Sequence, residues 1–278
     1  MLKEIVFLNG KFIPIEEAKA FLFQPGFLYG WGLFETMRSC EGKIVYLNQH
    51  LKRLQGSSRL IKIKTPYSTA KIKTAIHKTV EINDLKDAKV RLNLWKAQHG
   101  CEISITAEKY QPYPLGKYKK GFSCQISQTK CNEGSFLSGI KSQNYLVYQL
   151  AYIQAKEKGF EEVIMLNNRK VLAQASHSNI FLVKAQDLFT PSLECGALAG
   201  ITRKAVFDLA KKVKIKIQEG EFSLQDLYHA DEIFLTNSLM GIMPVASVEE
   251  YWSPNKANKE MLTQVFIKEY ARLLKHGD

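Results

Sequence analysis

A lysine followed by amide and phenol side chains is the first feature of this sequence that could do chemistry. Lys141 lies between Ile140 and Ser142, with Asn144 and Tyr145 close behind. A lysine amine acts as a nucleophile or a base when desolvation lowers its pKa and leaves it neutral. A lysine near a predicted helix start is more often a solvated surface residue, since lysine is rarely buried without a partner. Both interpretations stay open on this segment alone.

A glycine-led turn at residues 200–202, with the sequence Gly-Ile-Thr, could bind an anion. The turn opens a predicted helix. The first N–H groups of a helix have no intrahelical acceptor, and the helix dipole favours negative charge beside them. These features suit a phosphate group. Ordinary helix capping is the alternative, because many helices begin in a similar way.

The signatures of several other chemistries are absent. The sequence has no GxxxxGK[ST] loop, no HExxH, no GxSxG and no Rossmann glycine triplet. Its 6 histidines are not paired at metal-ligand spacing, so no metal site is predicted. The 5 cysteines are odd in number and form no CxxC pair, which argues against a zinc site and a disulfide framework. Reduced thiols and the lack of a signal-peptide pattern predict a cytoplasmic location.

Hydrophobic period and turn residues predict the elements that must position these side chains. A strand at 5–8, the turn Asn9-Gly10 and a return strand at 11–15 form a predicted hairpin. Helices are predicted from Asn48 as N-cap to about 60, at 69–81, from Ser142 to about 158, from 200 onward, and at 259–274. Further strands are predicted at 34–37, 43–46, 89–95, 102–106, 122–128, 162–166, 170–174, 179–183, 187–189 and 232–235.

The order of these elements predicts the fold class. Strands and helices that mix without strict βαβ alternation indicate an α+β or mixed α/β fold in two domains. Two prolines and two glycines at 111–121 mark the best linker candidate. We therefore predict an N-terminal domain at 1–115, a linker at 116–121 and a C-terminal domain at 122–278.

The net charge of +12 raises the question of a polyanionic partner. The lysines are scattered, and aromatic residues do not interleave with them as a base-stacking surface requires. Such charge runs usually form a solvated face, so we predict no nucleic-acid partner. No apolar stretch is long enough to cross a bilayer, so no membrane partner is predicted. A mildly positive field suits a small ligand with phosphate or carboxylate groups.

Six segments in order carry a resemblance to a known family. They are FLYGWGLFETMR at 27–38, LNQHLKRL at 47–54, IKSQNYL at 140–146, SNIFLV at 178–183, LAGITR at 198–203 and TNSLMGIMPV at 236–245. Together they resemble the class IV aminotransferases, fold type IV enzymes that use pyridoxal 5'-phosphate (PLP). Each match is modest, but the ordered set is specific. The resemblance implies two mixed α/β domains with PLP between them, and a homodimer.

The resemblance also implies a role for each matched position. Lys141 would hold PLP as a Schiff base and carry the substrate proton. Arg53, the backbone of Ile201 and Thr202, and the late loop at Thr236 would bind the phosphate, which a guanidinium fork matches well. The other implied residues are Tyr145 and Asn237 for the cofactor, and Tyr29 and Phe34 for the substrate.

Two departures from the family pattern bear on the chemistry. The family usually has a glutamate, which keeps the pyridine nitrogen protonated, where this chain has Gln174. A neutral amide can hydrogen-bond the ring but cannot supply that charge, unless Gln174 faces elsewhere. The family often has an arginine-glycine pair for a substrate carboxylate where this chain has Trp95-Lys96-Ala97. Lys96 supplies a point charge there, or is a surface residue at a strand end.

The late segment, with Thr236-Asn237-Ser238-Leu239, is most similar to the lyase subgroup of the family. The expected reaction is conversion of 4-amino-4-deoxychorismate to 4-aminobenzoate and pyruvate, a step of folate biosynthesis. The alternatives are amino transfer on D-amino acids or branched-chain amino acids, and a PLP-binding protein with impaired catalysis. In each case the expected partner is a small amino substrate with carboxylate groups.

Overall fold

The computed structural model of the chain describes residues 4–19, 22–65, 67–254 and 261–276. These residues fall into two compact units. Unit 1 takes in the described residues of Met1–Gln111, Ile140–Asn144 and Leu274–Asp278, and unit 2 those of Pro112–Gly139 and Tyr145–Leu273. Lys141 therefore belongs to unit 1.

Unit 1 is built on a six-stranded antiparallel sheet. Its strands are β1 (Ile5–Leu8), β2 (Lys11–Pro14), β3 (Gly32–Cys40), β4 (Lys43–Ile44), β5 (Ala88–Lys96) and β6 (Cys101–Lys109). Its helices are α1 (Pro25–Tyr29), α2 (Leu47–Leu60) and α3 (Thr69–Ile82), with a short 3-10 helix at Ile15–Glu17. The strand order is β2-β1-β6-β5-β3-β4.

Strand β5 has two chemically different faces. Val90, Leu92 and Leu94 are fully buried, whereas the intervening Arg91 and Asn93 are half-buried. Because side chains alternate across a strand, the apolar residues lie on one face and the polar residues on the other. Helix α2 packs on β3, and α3 on β6 and β5, so the apolar face forms the core of unit 1.

Unit 2 is built on a mixed eight-stranded sheet. Its strands are β7 (Phe122–Ile126), β8 (Glu162–Leu166), β9 (Leu172–Ala175), β10 (Asn179–Lys184), β11 (Asp187–Pro191), β12 (Ile217–Gly220), β13 (Glu232–Asn237) and β14 (Gly241–Val248). Its helices are α4 (Leu115–Lys120), α5 (Leu146–Glu157), α6 (Ile201–Lys212), α7 (Leu224–Tyr228) and most of α8 (Leu262–His276), with a 3-10 helix at Leu193–Cys195. The order is β12-β11-β10-β13-β14-β7-β8-β9.

Four strands of this sheet are covered on both faces. β8, β9, β10 and β13 are buried along nearly their whole length, as strands covered on both sides are. On one face, the Phe181 and Phe234 rings stack with centroids 4.9 Å apart. Ile180, Leu182 and Leu235 belong to the core cluster on the other. A rigid sheet of this kind can fix the groups at its strand ends.

The mixed α/β class is confirmed, as are most of the predicted elements. The Asn9-Gly10 turn has φ values of 48° and 96°, the positive pair that a tight hairpin favours. Four predictions differ from the structure. α2 begins at Leu47 after Tyr46, so Asn48 is not its N-cap. α5 begins at Leu146, not Ser142.

The other two differences concern segments predicted as irregular. Residues 236–245 are not a loop, because they span the end of β13, a short turn and the first part of β14. Most of the 116–121 segment is helical, within α4. The predicted start of the last helix at 259 lies outside the described residues, and the described helix α8 begins at Leu262.

Candidate active site

Lys141 is held by backbone hydrogen bonds to the edge of β3. The Phe34 N–H donates to the Lys141 carbonyl at 3.0 Å, and the Gln143 N–H donates to the Gly32 carbonyl at 2.9 Å. Ser142 forms an antiparallel bridge with Leu33 between them. The lysine is thus part of a short extended segment added to the sheet of unit 1, which fixes where its side chain starts.

The half-buried Lys141 side chain lies in a cation-rich environment. Its Nζ is 4.4 Å from the centroid of the Phe34 ring, and the Arg91 guanidinium carbon is 3.8 Å from the same centroid. Burial, reinforced by the Arg53 and Arg91 charges and opposed by the Glu35 carboxylate, lowers the Lys141 pKa from 10.5 to about 8. A lowered pKa leaves a useful fraction of neutral amine near neutral pH.

Glu35 is the anion that balances these cations. It is 1% exposed on the α2-facing side of β3. Arg53 donates to it from Nε at 2.8 Å and from one terminal nitrogen at 2.5 Å. The buried His50 donates from Nδ1 at 2.7 Å. Burial alone would raise the Glu35 pKa, but the Arg53 charge and these hydrogen bonds lower it to about 2, so the carboxylate stays ionised.

His50 completes this cluster as a neutral group. Burial lowers its pKa more than the Glu35 carboxylate raises it. A neutral His50 adds a hydrogen bond without adding charge. The Arg53 position on α2 is therefore fixed by a bidentate carboxylate, and the guanidinium is the member of this cluster that acts on Lys141 as a cation.

The start of α6 in unit 2 has the properties of an oxyanion site. Gly200 is its N-cap, and the first helical N–H groups belong to Ile201 and Thr202. The Thr202 and Thr236 hydroxyls are buried and have no hydrogen-bond partner among the described residues. Buried hydroxyls without partners are costly, so this pair fits a ligand that brings oxygens. A phosphate does so.

The backbone at Gly200 also approaches its neighbour closely. A Cβ placed on Gly200 would overlap Asn179 Oδ1. Asn179 is the cross-strand partner of Thr236, so β10 and β13 bring both to this point. Only glycine lets the helix start reach the strand ends.

Gln174 is buried on β9 with both ends of its amide engaged. Its Oε1 accepts the Leu198 N–H at 2.9 Å. The amide also forms a hydrogen bond with the Tyr148 phenol, whose pKa is raised mainly by burial. Because the Leu198 N–H is a donor, it must face the oxygen of the Gln174 amide. The nitrogen of the Gln174 amide therefore faces Tyr148.

Four other predicted site residues have diverse environments. The Tyr145 hydroxyl donates to the Ser176 carbonyl at 2.5 Å, and its ring packs on Tyr148 at 4.9 Å. Asn237 Oδ1 accepts the N–H groups of two residues of the β13–β14 turn, at 3.0 and 2.9 Å. Tyr29 is 69% exposed in unit 1. Lys96 has the strand parity of Leu94, so it lies on the face of β5 opposite Arg91.

Sequence reasoning missed several groups that the structure places around the predicted residues. Glu35 and His50 flank Arg53, Arg91 shares the Phe34 ring with Lys141, and Asn179 lies against Gly200. One signal was available for Glu35, because an acid between the apolar Leu33 and Met37 on one strand face must be paired. The alternation of β5 could have singled out Arg91.

Two other kinds of site have no support among the residues that the structure describes. No group of three or more His, Cys, Asp and Glu side chains there could hold a metal ion. None of the described helices is both long and apolar enough to cross a bilayer.

Comparisons with known proteins give the family. The model of the amino-transferase class IV family matches residues 32–248, so the chain belongs to this family. Its members are PLP-dependent enzymes, and PLP is the cofactor of this one. In unit 2, the buried Thr202 and Thr236 hydroxyls and the start of α6 fit a phosphate group such as that of PLP. In unit 1, the Lys141 amine with its lowered pKa fits an aldehyde group.

Relatives with two different activities are similar to the chain. The aminodeoxychorismate lyase of Bacillus subtilis (strain 168) is 29% identical over 284 residues, covering 97% of this chain and 96% of that protein. A Methanocaldococcus jannaschii protein, provisionally named a branched-chain-amino-acid aminotransferase, is 32% identical over 254 residues and 88% of each chain.

Solved structures support the fold. The branched-chain aminotransferase of the archaeon Thermoproteus uzoniensis, solved with norvaline, superposes with a TM-score of 0.91 at 27% identity, covering 99% of this chain and 96% of that one. The Escherichia coli branched-chain aminotransferase superposes with a TM-score of 0.93 at 23% identity and the same coverage.

Proposed function

We propose that this enzyme is an aminodeoxychorismate lyase, which converts 4-amino-4-deoxychorismate to 4-aminobenzoate and pyruvate. The observation that carries the proposal is Gln174, a neutral amide whose oxygen is bound to the Leu198 N–H. The similarity to the Bacillus subtilis lyase over 97% of this chain supports it.

The electronic argument concerns how strongly the reaction depends on electron withdrawal by the cofactor. Bound PLP withdraws electrons from the substrate carbon that bears the nitrogen. Gln174 places no negative charge against the ring, so this withdrawal is weaker than with a glutamate. Formation of an aromatic product supplies a large driving force, and elimination therefore tolerates a weaker electron sink than amino transfer does.

Lys141 Nζ is the proposed proton carrier. With its pKa near 8, the amine is partly neutral at neutral pH and can take the proton from the carbon bearing nitrogen. The bond from the ring carbon to the ether oxygen of the side chain then breaks. Pyruvate leaves as its enolate, which becomes pyruvate when its methylene carbon takes up a proton, and the Lys141 ammonium has a proton to give back.

Arg91 is the proposed ligand of a substrate carboxylate, in place of Lys96. The Arg91 guanidinium and the Lys141 amine contact the same Phe34 ring, whereas Lys96 lies on the opposite face of β5. A guanidinium also binds carboxylate in a bidentate way that an ammonium cannot. Asn93 Oδ1 accepts the Arg91 Nε–H at 3.1 Å and orients the fork.

The proposed phosphate ligands are those that the family resemblance implies, namely Arg53 and the backbone of Ile201 and Thr202. The Thr202 and Thr236 hydroxyls are further donors for it, since both are buried and without a partner in the described structure. These roles follow the family resemblance, and the observed chemistry of the groups is compatible with them.

Amino transfer on branched-chain amino acids is the second candidate. Its specific support is the 32% identical Methanocaldococcus jannaschii relative. Gln174 argues against it, because amino transfer needs the ring to hold more negative charge than an elimination does.

We also propose that the enzyme is a homodimer. Leu146, Leu150 and Ile153 form one stripe of α5 and are 67%, 49% and 41% exposed. The opposite side of the helix, at Ala151 and Ala155, packs on the sheet of unit 2. An exposed apolar stripe of this kind is typical of an interface, and a second copy would cover it.

The proposed reaction is tested by product analysis. The PLP-loaded enzyme is given 4-amino-4-deoxychorismate, and 4-aminobenzoate and pyruvate are quantified. Equal amounts of both are expected from the wild type and none above background from Lys141→Ala. An intact substrate, or one consumed without release of pyruvate, would refute the lyase assignment.

A further inference from the structure

The backbone N–H and carbonyl of Leu198 are both held by side chains of neighbouring strands. Its N–H donates to Gln174 Oε1 at 2.9 Å, and its carbonyl accepts the Asn179 Nδ2–H at 2.8 Å. The same carbonyl accepts the Gly200 N–H at 2.8 Å. Two strands of the unit 2 sheet, β9 and β10, therefore hold the backbone of one residue in the turn that leads into α6.

These hydrogen bonds to Leu198 hold the segment that presents the N–H groups at the start of α6. Leu198 is two residues before the Gly200 N-cap and three before Ile201. Asn179 Oδ1 also lies against the position that a Gly200 Cβ would take, so the backbone of the turn runs close to β10. The direction of the Ile201 and Thr202 N–H groups thus depends on how Leu198 is held.

Gln174 has little freedom to release this contact. It is 8% exposed, and its nitrogen end is engaged with the Tyr148 phenol. Turning the amide over would set an NH2 group against the Leu198 N–H and leave a buried donor unpaired, which is unfavourable.

We propose that Gln174 is a positioning residue for the turn at residues 198–202, and that its amide oxygen sets the geometry with which this turn binds a phosphate group. The proposal rests on the assignment of Ile201 and Thr202 to the PLP phosphate. The required property of residue 174 is a hydrogen-bond acceptor, which a glutamine and a glutamate share, while charge toward the ring is separate.

Two variants separate the acceptor from the charge. Gln174→Met has a similar length but no strong acceptor, and Gln174→Glu keeps the acceptor and adds charge. Tyr148→Phe is the matched control, because it removes the other hydrogen bond of Gln174 and leaves the Leu198 contact in place. Dissociation constants of PLP and of pyridoxal, which lacks the phosphate, are measured on the full-length protein freed of cofactor.

The ratio of the dissociation constant of pyridoxal to that of PLP measures how much the phosphate group contributes to binding. We expect Gln174→Met to lower this ratio about 5- to 10-fold, the effect of one lost hydrogen bond. Gln174→Glu and Tyr148→Phe should leave it within about twofold. Hydrogen exchange at the Leu198 amide should accelerate in Gln174→Met and not in Gln174→Glu.

Other results would overturn the proposal. An unchanged ratio in Gln174→Met, with equal loss of PLP and pyridoxal affinity, would make Gln174 a ring contact only. A wild-type ratio near one would remove the phosphate assignment and the proposal with it. Circular dichroism of each variant identifies unfolding, and if Gln174→Met unfolds, Leu198 amide exchange in Gln174→Leu decides between the two outcomes. The lyase proposal is tested separately, by product analysis.

Discussion

The amine of Lys141 is under two opposing electrostatic influences. Burial and the Arg53 and Arg91 charges favour the neutral form, while the Glu35 carboxylate favours the ammonium. Glu35 can favour the ammonium because its own pKa is about 2, which keeps the carboxylate ionised at neutral pH. The balance leaves an amine that is both nucleophilic enough to bind an aldehyde and basic enough to take a proton.

The Glu35 contribution can be measured directly. Glu35→Gln removes an anion that raises the Lys141 pKa and unmasks the Arg53 charge, so both effects lower that pKa. The rate of PLP capture by the cofactor-free enzyme should rise with pH through about 8 in the wild type, since the neutral amine reacts. The midpoint should move to lower pH in Glu35→Gln.

Glu108→Gln is the matched control for this titration. Glu108 is an exposed acid of the same unit, paired with Lys89 on the sheet surface. Its loss should leave the midpoint unchanged. A midpoint that stays near 8, or rises, in Glu35→Gln would show that Glu35 does not act on Lys141.

A second prediction at this scale concerns the substrate carboxylate. Arg91→Gln should raise the KM for the lyase substrate roughly 10- to 100-fold with a smaller effect on kcat, as the loss of a hydrogen bond to a charged group does. Lys96→Gln should leave KM unchanged, because Lys96 lies on the other face of β5. Steady-state kinetics decide this, and the reverse pattern would return the role to Lys96.

These residues show where prediction from sequence stops. Lys141, Arg53 and Gln174 could be singled out from the order of the matched segments. The Glu35, His50 and Arg53 cluster could not, because it joins a strand to a helix and no local spacing reports that contact. The orientation of the Gln174 amide depends on Leu198, which is 24 residues away along the chain.

At the scale of elements, the start of α6 depends on a close approach of backbone to side chain. Gly200→Ala would set a Cβ onto Asn179 Oδ1, which must displace the turn or the asparagine. We expect PLP affinity to fall roughly 10-fold, since displaced N–H groups lose a charge-assisted hydrogen bond. Equilibrium titration of the cofactor-free protein measures this.

Gly56→Ala is the control for that substitution. Gly56 is an exposed residue of α2 with nothing within 4 Å of its would-be Cβ. Alanine there should stabilise the protein by about 0.5–1 kcal/mol through helix propensity and leave PLP affinity unchanged. Equal PLP affinity in Gly200→Ala and the wild type would contradict the role of the helix start.

Elements differ in how well the sequence predicts them. β5 was predictable because its apolar and polar residues alternate, and the Asn9-Gly10 hairpin because its turn needs two positive φ values. The start of α2 was not, since Tyr46 adopts a φ of 54° that no local signal indicates. Ser142 resembled a helix cap but serves in a bridge to β3, a tertiary pairing.

At the scale of the whole molecule, the net charge of +12 and the exposed α5 stripe are the features that concern partners. The positive field suits a substrate with carboxylate groups and a phosphorylated cofactor. The stripe suits a second copy of the chain. The charge can be read from the sequence, whereas the exposure of Leu146, Leu150 and Ile153 could not, because an apolar helix face is usually turned toward the core.

The proposed dimer can be tested with one charge. Leu150→Glu places a carboxylate in the centre of the stripe, where burial in an interface would be costly. Light scattering should show a dimer for the wild type and a 31.7 kDa monomer for the variant. Val265→Glu alters an exposed apolar residue of α8 and should remain dimeric. A monomeric wild type would contradict the proposal.

The most direct test of the lyase assignment compares two reactions in one enzyme preparation. The PLP-loaded wild type is given 4-amino-4-deoxychorismate alone and, separately, leucine with 2-oxoglutarate. We predict that kcat/KM for release of pyruvate and 4-aminobenzoate exceeds that for amino transfer by about 100-fold or more, equivalent to roughly 2.7 kcal/mol of transition-state stabilisation. Amino transfer that equals or exceeds the elimination would contradict the assignment and make the enzyme an aminotransferase despite Gln174.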